Sequence, residues 1–207
     1  GELVWASSCV RADLSETYTS TAVVDVQVDS DGGVFVLGEE HQPSPYSLDL
    51  GRGDPPTIFK FDSDGEKVWA TRMNYALIGN NGSALSVDSE GDLFVVGWSE
   101  GWGADDPDEL LIYKVTAEGK TRGCKTIEMP DWKGSAFGRS TVTCAAIDAD
   151  DNLYVVAEVA VRPSGSAGEN TSSWPRNIFL TKLDSQAEVL WQVELASEED
   201  DYCFDIA

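Results

Sequence analysis

The sequence has no long apolar run. Its longest are strand-sized, at residues 93–96 and 154–157. None approaches the roughly 20 residues that a spanning helix needs, so no membrane insertion is expected. Basic residues are scarce: 14 Lys and Arg stand against 37 Asp and Glu, a formal charge of −23. A field of that sign repels phosphate backbones and anionic lipid, which makes nucleic acid and membrane surfaces poor partners. Histidine is nearly absent. His41 is the only one, so a zinc site built from several His is excluded and any Ser-His-Asp triad would have to use it. There is no Gly-x-Ser-x-Gly elbow, no P-loop and no dinucleotide-binding glycine pattern,. The four cysteines, Cys9, Cys124, Cys144 and Cys203, include no Cys-x-x-Cys pair. That removes a zinc ribbon and a thioredoxin-like motif. No initiator Met and no leader pattern stand at Gly1, so the expectation is a processed chain or a piece of a longer one.

What the sequence does have is a repeat. Val28-Asp29-Ser30-Asp31-Gly32-Gly33-Val34-Phe35-Val36-Leu37-Gly38 returns as Val87-Asp88-Ser89-Glu90-Gly91-Asp92-Leu93-Phe94-Val95-Val96-Gly97. It returns again as Ile147-Asp148-Ala149-Asp150-Asp151-Asn152-Leu153-Tyr154-Val155-Val156-Ala157. The first Asp moves from 29 to 88 to 148, spacings of 59 and 60. Each copy reads as strand, acidic turn, strand, because Asp and Gly between apolar runs turn the chain. A third strand, a second acidic turn and a Trp-bearing fourth strand follow. In the first unit the strands are expected at 22–28, 34–38, 57–61 and 66–73. In the second they fall at 83–87, 93–97, 110–115 and 120–128. In the third they fall at 142–147, 152–159, 177–183 and 188–195.

Four-stranded units at a fixed period predict an all-β chain and a β-propeller. A β-sandwich would explain the alternation but not the period. The expected divisions are 1–20, the last strand of a preceding blade with a connector; 21–79, 80–139 and 140–199, three blades; and 200–207, the first strand of a following blade. A closed propeller has about 4–8 blades, and an open end leaves strand edges bare. The partners implied are therefore the rest of the propeller or other protein chains.

Lys60-Phe61-Asp62-Ser63-Asp64-Gly65 with Val68-Trp69, and Lys182-Leu183-Asp184-Ser185 with Leu190-Trp191, follow the strand-turn-strand cores. In this the chain resembles the seven-bladed β-propeller repeat family of mostly secreted proteins. The resemblance covers nearly all of the chain except its loops, and it implies a scaffold rather than an activity. The second unit departs from it, with Arg122-Gly123 in place of Val-Trp. No catalytic residues carry over.

The candidate sites follow from that frame. Long loops would gather His41, Tyr46, Trp98, Trp102, Trp132 and Trp174 on one face. Exposed aromatics beside polar groups suit stacking on sugar rings or partner side chains. The acidic turns lie on the opposite face. Asp29, Asp31, Asp148 and Asp150 could supply oxygen ligands to calcium, although none of these turns has a full EF-hand pattern and Asp and Gly make tight turns without any metal,. Asn81 and Asn170 each open a glycosylation sequon,. Cys124 and Cys144 are 20 positions apart, in consecutive units; a disulfide between them would pin the connector if their Cα atoms came within about 7 Å. Arg52-Gly53-Asp54 is a potential adhesion tripeptide, too short to weigh much, and Asp105-Asp106 a potential glycosidase pair whose separation no sequence shows,. The functional expectation is a non-enzymatic, extracellular or cell-surface propeller segment that acts as a scaffold or interaction module. The alternatives are a carbohydrate- or calcium-dependent binding module, and a propeller-based lyase or hydrolase. No cofactor is required, and calcium is the ion the acidic turns would suit.

Overall fold

A computed structural model describes residues 4–7, 20–41, 56–73, 81–99, 109–128, 141–160, 175–197 and 201–206. Among them the chain is all-β, with no helix. The strands are β1 (Ser20–Val28), β2 (Val34–His41), β3 (Pro56–Phe61), β4 (Lys67–Arg72), β5 (Asn81–Val87), β6 (Leu93–Ser99), β7 (Glu109–Val115), β8 (Thr121–Glu128), β9 (Thr141–Ile147), β10 (Leu153–Ala160), β11 (Arg176–Leu183) and β12 (Val189–Leu195). They form three four-stranded antiparallel meanders in sequence order, β1–β4, β5–β8 and β9–β12. The expected strand ends hold to within one to three residues, because the turns between them leave little freedom.

Those turns share one construction. Asp29 Oδ1 accepts from the amides of Asp31 at 3.1 Å and Gly33 at 2.6 Å. Asp62, Asp88, Asp148 and Asp184 do the same two and four residues on. Thr116 Oγ1 substitutes in the remaining turn. The fourth residue of each turn takes positive φ. Glycine fills it at 32, 65, 91 and 119, and Asp151 and Ala187 fill it at φ 60° and 59°.

Register repeats as well as topology. In all three sheets the first strand carries a bulge, between Val23 and Asp25, Gly82 and Ala84, and opposite Val156 and Ala157 in the third. The fourth strand carries another, at Val68, Arg122 and Leu190, just past the residues opposite Lys60, Lys114 and Lys182. Each of these lysines sits over the aromatic ring of the second strand. The ammonium lies 4.7 Å from the centre of Phe35, 4.8 Å from Phe94 and 4.8 Å from Tyr154. Each also meets the leading Asp of its turn, at 3.6 Å (Asp29), 3.1 Å (Asp88) and 3.2 Å (Asp148). One charge device, a lysine between a ring face and a turn carboxylate, therefore ties the turn end of the two middle strands in every sheet,.

The sheets stack face to face, with β5 beside both β1 and β9. Phe35, Leu37 and Ile58 of the first sheet pack on Leu93, Val95 and Tyr113 of the second. Phe94, Val96 and Ile112 on the other face of the second pack on Leu153, Val155 and Phe179 of the third. A sheet covered on both faces needs apolar side chains at consecutive positions rather than alternate ones. That is why β6 and β7 read as near-continuous apolar runs.

The described terminal segments, 4–7 and 201–206, belong to none of the three sheets. Both still dock on the stack. Trp5 stacks on Phe61 at 6.4 Å. The Asp201 amide donates to the Arg176 carbonyl at 2.8 Å, and the Cys203 amide to Glu158 Oε1 at 3.2 Å.

Candidate functional site

Of the aromatics expected on the loop face, Trp98 is placed and the expectation is corrected. Strand β6 runs two residues beyond Gly97, which carries Trp98 inward. It is 4% exposed, in the core between the second and third sheets, and unavailable for stacking on a ligand. His41 ends β2 opposite Ser20, with its side chain outside the described set. Tyr46, Trp102, Trp132, Trp174, Asn170, the tripeptide at 52–54 and the pair at 105–106 lie outside the described residues. Asn81 opens β5 opposite Trp98.

The acidic turns show what their carboxylates do. Asp148 Oδ1 takes the amides of Asp150 and Asn152 at 3.0 and 2.9 Å, and Oδ2 takes Tyr154 Oη at 3.1 Å and Lys182 Nζ at 3.2 Å. These bonds, led by the Asn152 side chain, hold the Asp148 carboxyl well below the usual range. Asp29 is spent on its turn amides and Lys60, while Asp31 and Asp150 are exposed. No group of three His, Cys, Asp or Glu side chains converges as metal ligands among the described residues.

The expected Cys124–Cys144 bridge is absent; both thiols are free. The reason is topological. Cys124 lies on β8, at one edge of its sheet, and Cys144 on β9, which neighbours β5 at the opposite edge. Three strand spacings of about 4.8 Å separate β5 from β8, roughly twice the reach of a disulfide. The thiol that Cys144 does meet is Cys203, as a hydrogen-bonding neighbour, with Asp205 and Asp25 nearby.

The joints between sheets hold the feature that composition did not reveal. Trp69 on β4 donates its indole N–H to the Ala117 carbonyl in the β7–β8 turn at 3.0 Å. Its ring covers Gly119 so closely that a Cβ there would lie 2.8 Å from Cδ2. Trp5 covers Gly65 in the same way, at 2.5 Å. The rule is an indole from one unit laid on the positive-φ glycine of the next. Between the second and third sheets both halves have changed. Gly123 stands opposite Lys114, where Trp69 stands opposite Lys60, and Ala187 replaces the receiving glycine. A hollow of about 240 Å³ remains, walled by Phe94, Ile112, Lys114, Arg122, Gln186 and Ala187. The joint is held instead by polar contacts. Ser89 donates its amide and hydroxyl to Asp151 at 2.8 and 2.6 Å, and Lys125 pairs with Glu188 at 2.6 Å.

No family model and no curated protein matches the chain. Two solved structures are similar to it at low identity. One is a protein of unknown function from Bacteroides caccae, at 13% identity over 84% of this chain and 67% of that one, with a TM-score of 0.39. The other is a member of the DUF4221 family from Bacteroides vulgatus ATCC 8482, at 14% identity over 82% of this chain, with a TM-score of 0.45. The chain spans about half the length of that second protein, 51%.

Proposed function

We propose that the three sheets are consecutive blades of a β-propeller, and that the chain works as a non-enzymatic scaffold and protein-interaction module within a larger ring or assembly. The observation that carries this reading is the half-joint left on β12. Trp191 stands opposite Lys182 as Trp69 stands opposite Lys60. Trp69 is received by the next sheet; Trp191 is 39% exposed, and Val193 and Leu195 are bare along the same face. A row of apolar side chains ending in an exposed indole is a surface made to be covered. By analogy with the preceding joints, the cover we propose is the turn between the third and fourth strands of another such sheet. Stacked meanders with their first strands side by side are the arrangement of propeller blades. The repeated carboxylates support a structural use, since they cap turns and hold lysines. An acidic surface and the two sequons support an extracellular or cell-surface setting.

Native mass spectrometry of the protein as purified from its source tests the proposal. The expected particle contains this chain within a mass well above 22.4 kDa. A single, stable species at that mass, unchanged up to high concentration, would overturn it.

A further inference from the structure

The hollow between the second and third sheets is an indole site without its indole. At the preceding joint the ring has three kinds of support: an aromatic wall, a carbonyl acceptor and a glycine floor. Phe35 is the wall, 6.0 Å from Trp69 between ring centres. The carbonyl of Ala117 accepts the indole N–H. At the altered joint the wall is retained, as Phe94. The acceptor is retained as well. The Ser185 carbonyl occupies the turn position of Ala117 and takes Lys114 Nζ at 3.3 Å, which leaves one of its two lone pairs for a second donor. What is missing is the ring. A Cβ built at Gly123 meets no atom within 4 Å.

The space is large enough for a ligand. A dry apolar cavity of about 150 Å³ is known to hold benzene; this one is about 240 Å³. It is also reachable, since Gly123 and Cys124 at its lip are exposed. Its charges are matched rather than in excess. Lys114 meets Asp88 at 3.1 Å, Arg122 meets Asp92 at 3.3 Å and Lys125 meets Glu188 at 2.6 Å. A charged ligand would have to displace one of these partners, whereas a neutral ring would not. Ala187 raises the floor by one methyl group. A ring tethered to β8 would strike it; a free ring can sit further out.

We propose that this hollow is a binding socket for a free, neutral, planar aromatic molecule of indole size with one N–H donor. The ring lies against Phe94, as Trp69 lies against Phe35, and its N–H is directed to the Ser185 carbonyl. Lys114 closes one side, held between Asp88 and the Phe94 face. The socket belongs to the second and third sheets alone and does not depend on how the stack is completed.

The test is calorimetric titration of the full chain with indole, with the melting temperature as a second readout. One site per chain is expected, together with a higher melting temperature on saturation. Two variants fill the socket from within. Gly123→Trp combined with Ala187→Gly puts an indole back into the joint, and Gly123→Val fills part of it; Gly123 has φ 158°, so both side chains carry backbone strain and binding is compared on protein shown to be folded by its thermal melt. Both are expected to weaken indole binding at least tenfold. N-acetyltryptophanamide, which carries the ring on a peptide backbone, is expected to bind at least tenfold more weakly than indole. Equal binding by wild type and Gly123→Val, or no heat and no rise in melting temperature at millimolar indole, would overturn the proposal. Tighter binding of N-acetyltryptophanamide than of indole would overturn it in favour of a partner's Trp side chain.

Discussion

The carboxylate of Asp148 shows how far a turn residue can be drawn into the fold. Hydrogen bonds from Asn152, then from Lys182 and the Asp150 amide, hold its pKa well below the ordinary value of about 3.9,. Ser89 lowers Asp151 and Thr116 lowers Glu118 in the same direction. A group whose pKa is depressed in the folded state adds stability above its unfolded pKa, and that stability is lost as pH falls through the folded value. Melting temperature is therefore expected to drop as pH falls below about 4, even though protonation relieves the repulsion of a chain charged −23. Asp148→Asn should melt lower than wild type at pH 7 and lose less on acidification. Circular dichroism melts between pH 7 and pH 3 decide this, and parallel curves for the two proteins would count against it. The thiols offer a second residue-scale outcome. Burial, then Cys203, pushes the Cys144 thiol up to about 12. At pH 8 that leaves roughly one thiolate in ten thousand, so iodoacetamide should modify exposed Cys124 at least tenfold faster than Cys144, as peptide mapping would show. The capping role of Asp29, Asp88 and Asp148 was legible in sequence, because Asp and Gly at fixed offsets are turn chemistry. The reach of Asp151 was not. Its partner Ser89 is 62 residues away, and nothing local to either marks the contact.

At the scale of elements, four glycines share one backbone conformation and differ in what lies above them. Gly32, Gly65, Gly91 and Gly119 have φ between 80° and 82°. A Cβ on Gly91 would meet the Ala117 methyl at a comfortable 3.7 Å, while one on Gly119 would meet the Trp69 ring at 2.8 Å. Alanine at either carries the cost of left-handed backbone, about 1 kcal/mol. Only Gly119→Ala must also push an indole out of its seat and loosen the bond to Ala117. It is expected to cost about 2 kcal/mol more than Gly91→Ala, on the scale of overpacking penalties. Urea unfolding of the two variants gives the difference directly, and equal midpoints would mean that the Trp–Gly contact carries no weight. The strands are legible in the sequence, since Asp, Gly and Thr turns bound every apolar run. It exposed the vacancy at Gly123 as an irregularity of a fourth strand, without showing that the floor had changed as well. Gly123 and Ala187 are far apart in the chain, and their dependence on each other exists only where sheets meet. Trp98 was misplaced for a related reason. Two residues past an expected strand end separate a loop aromatic from a core one, and only the pairing of Trp98 with Leu110 fixes which it is.

At the scale of the whole molecule, the stack is asymmetric. Its inner faces are closed by matching apolar surfaces, while the far face of the third sheet is only partly covered. The segment 201–206 touches that face through Cys203 and Glu158, yet Phe204 within it is 92% exposed. Trp69 and Trp191 hold the same place in their units and meet opposite circumstances. Removing the Trp69 side chain empties a filled joint and deprives the Ala117 carbonyl of a donor. Trp69→Ala is therefore expected to cost about 3 kcal/mol, the low end for a large aromatic in a core. Trp191 loses only its edge contact with Tyr154, 6.0 Å between ring centres, so Trp191→Ala should cost about 1 kcal/mol in the isolated chain. Association should reverse the order of importance. If a further sheet seats on β12, Trp191 becomes the ring laid on that sheet's glycine, and its loss should weaken assembly at least tenfold while lowering the melting temperature of the isolated chain by only about 2–4 °C. Trp69→Ala should lower that melting temperature and leave assembly intact wherever the chain remains folded. Sedimentation velocity across a concentration series, paired with thermal melts of the same samples, separates the two effects. Wild type and Trp191→Ala with identical association would show that the exposed face of β12 is not a joint.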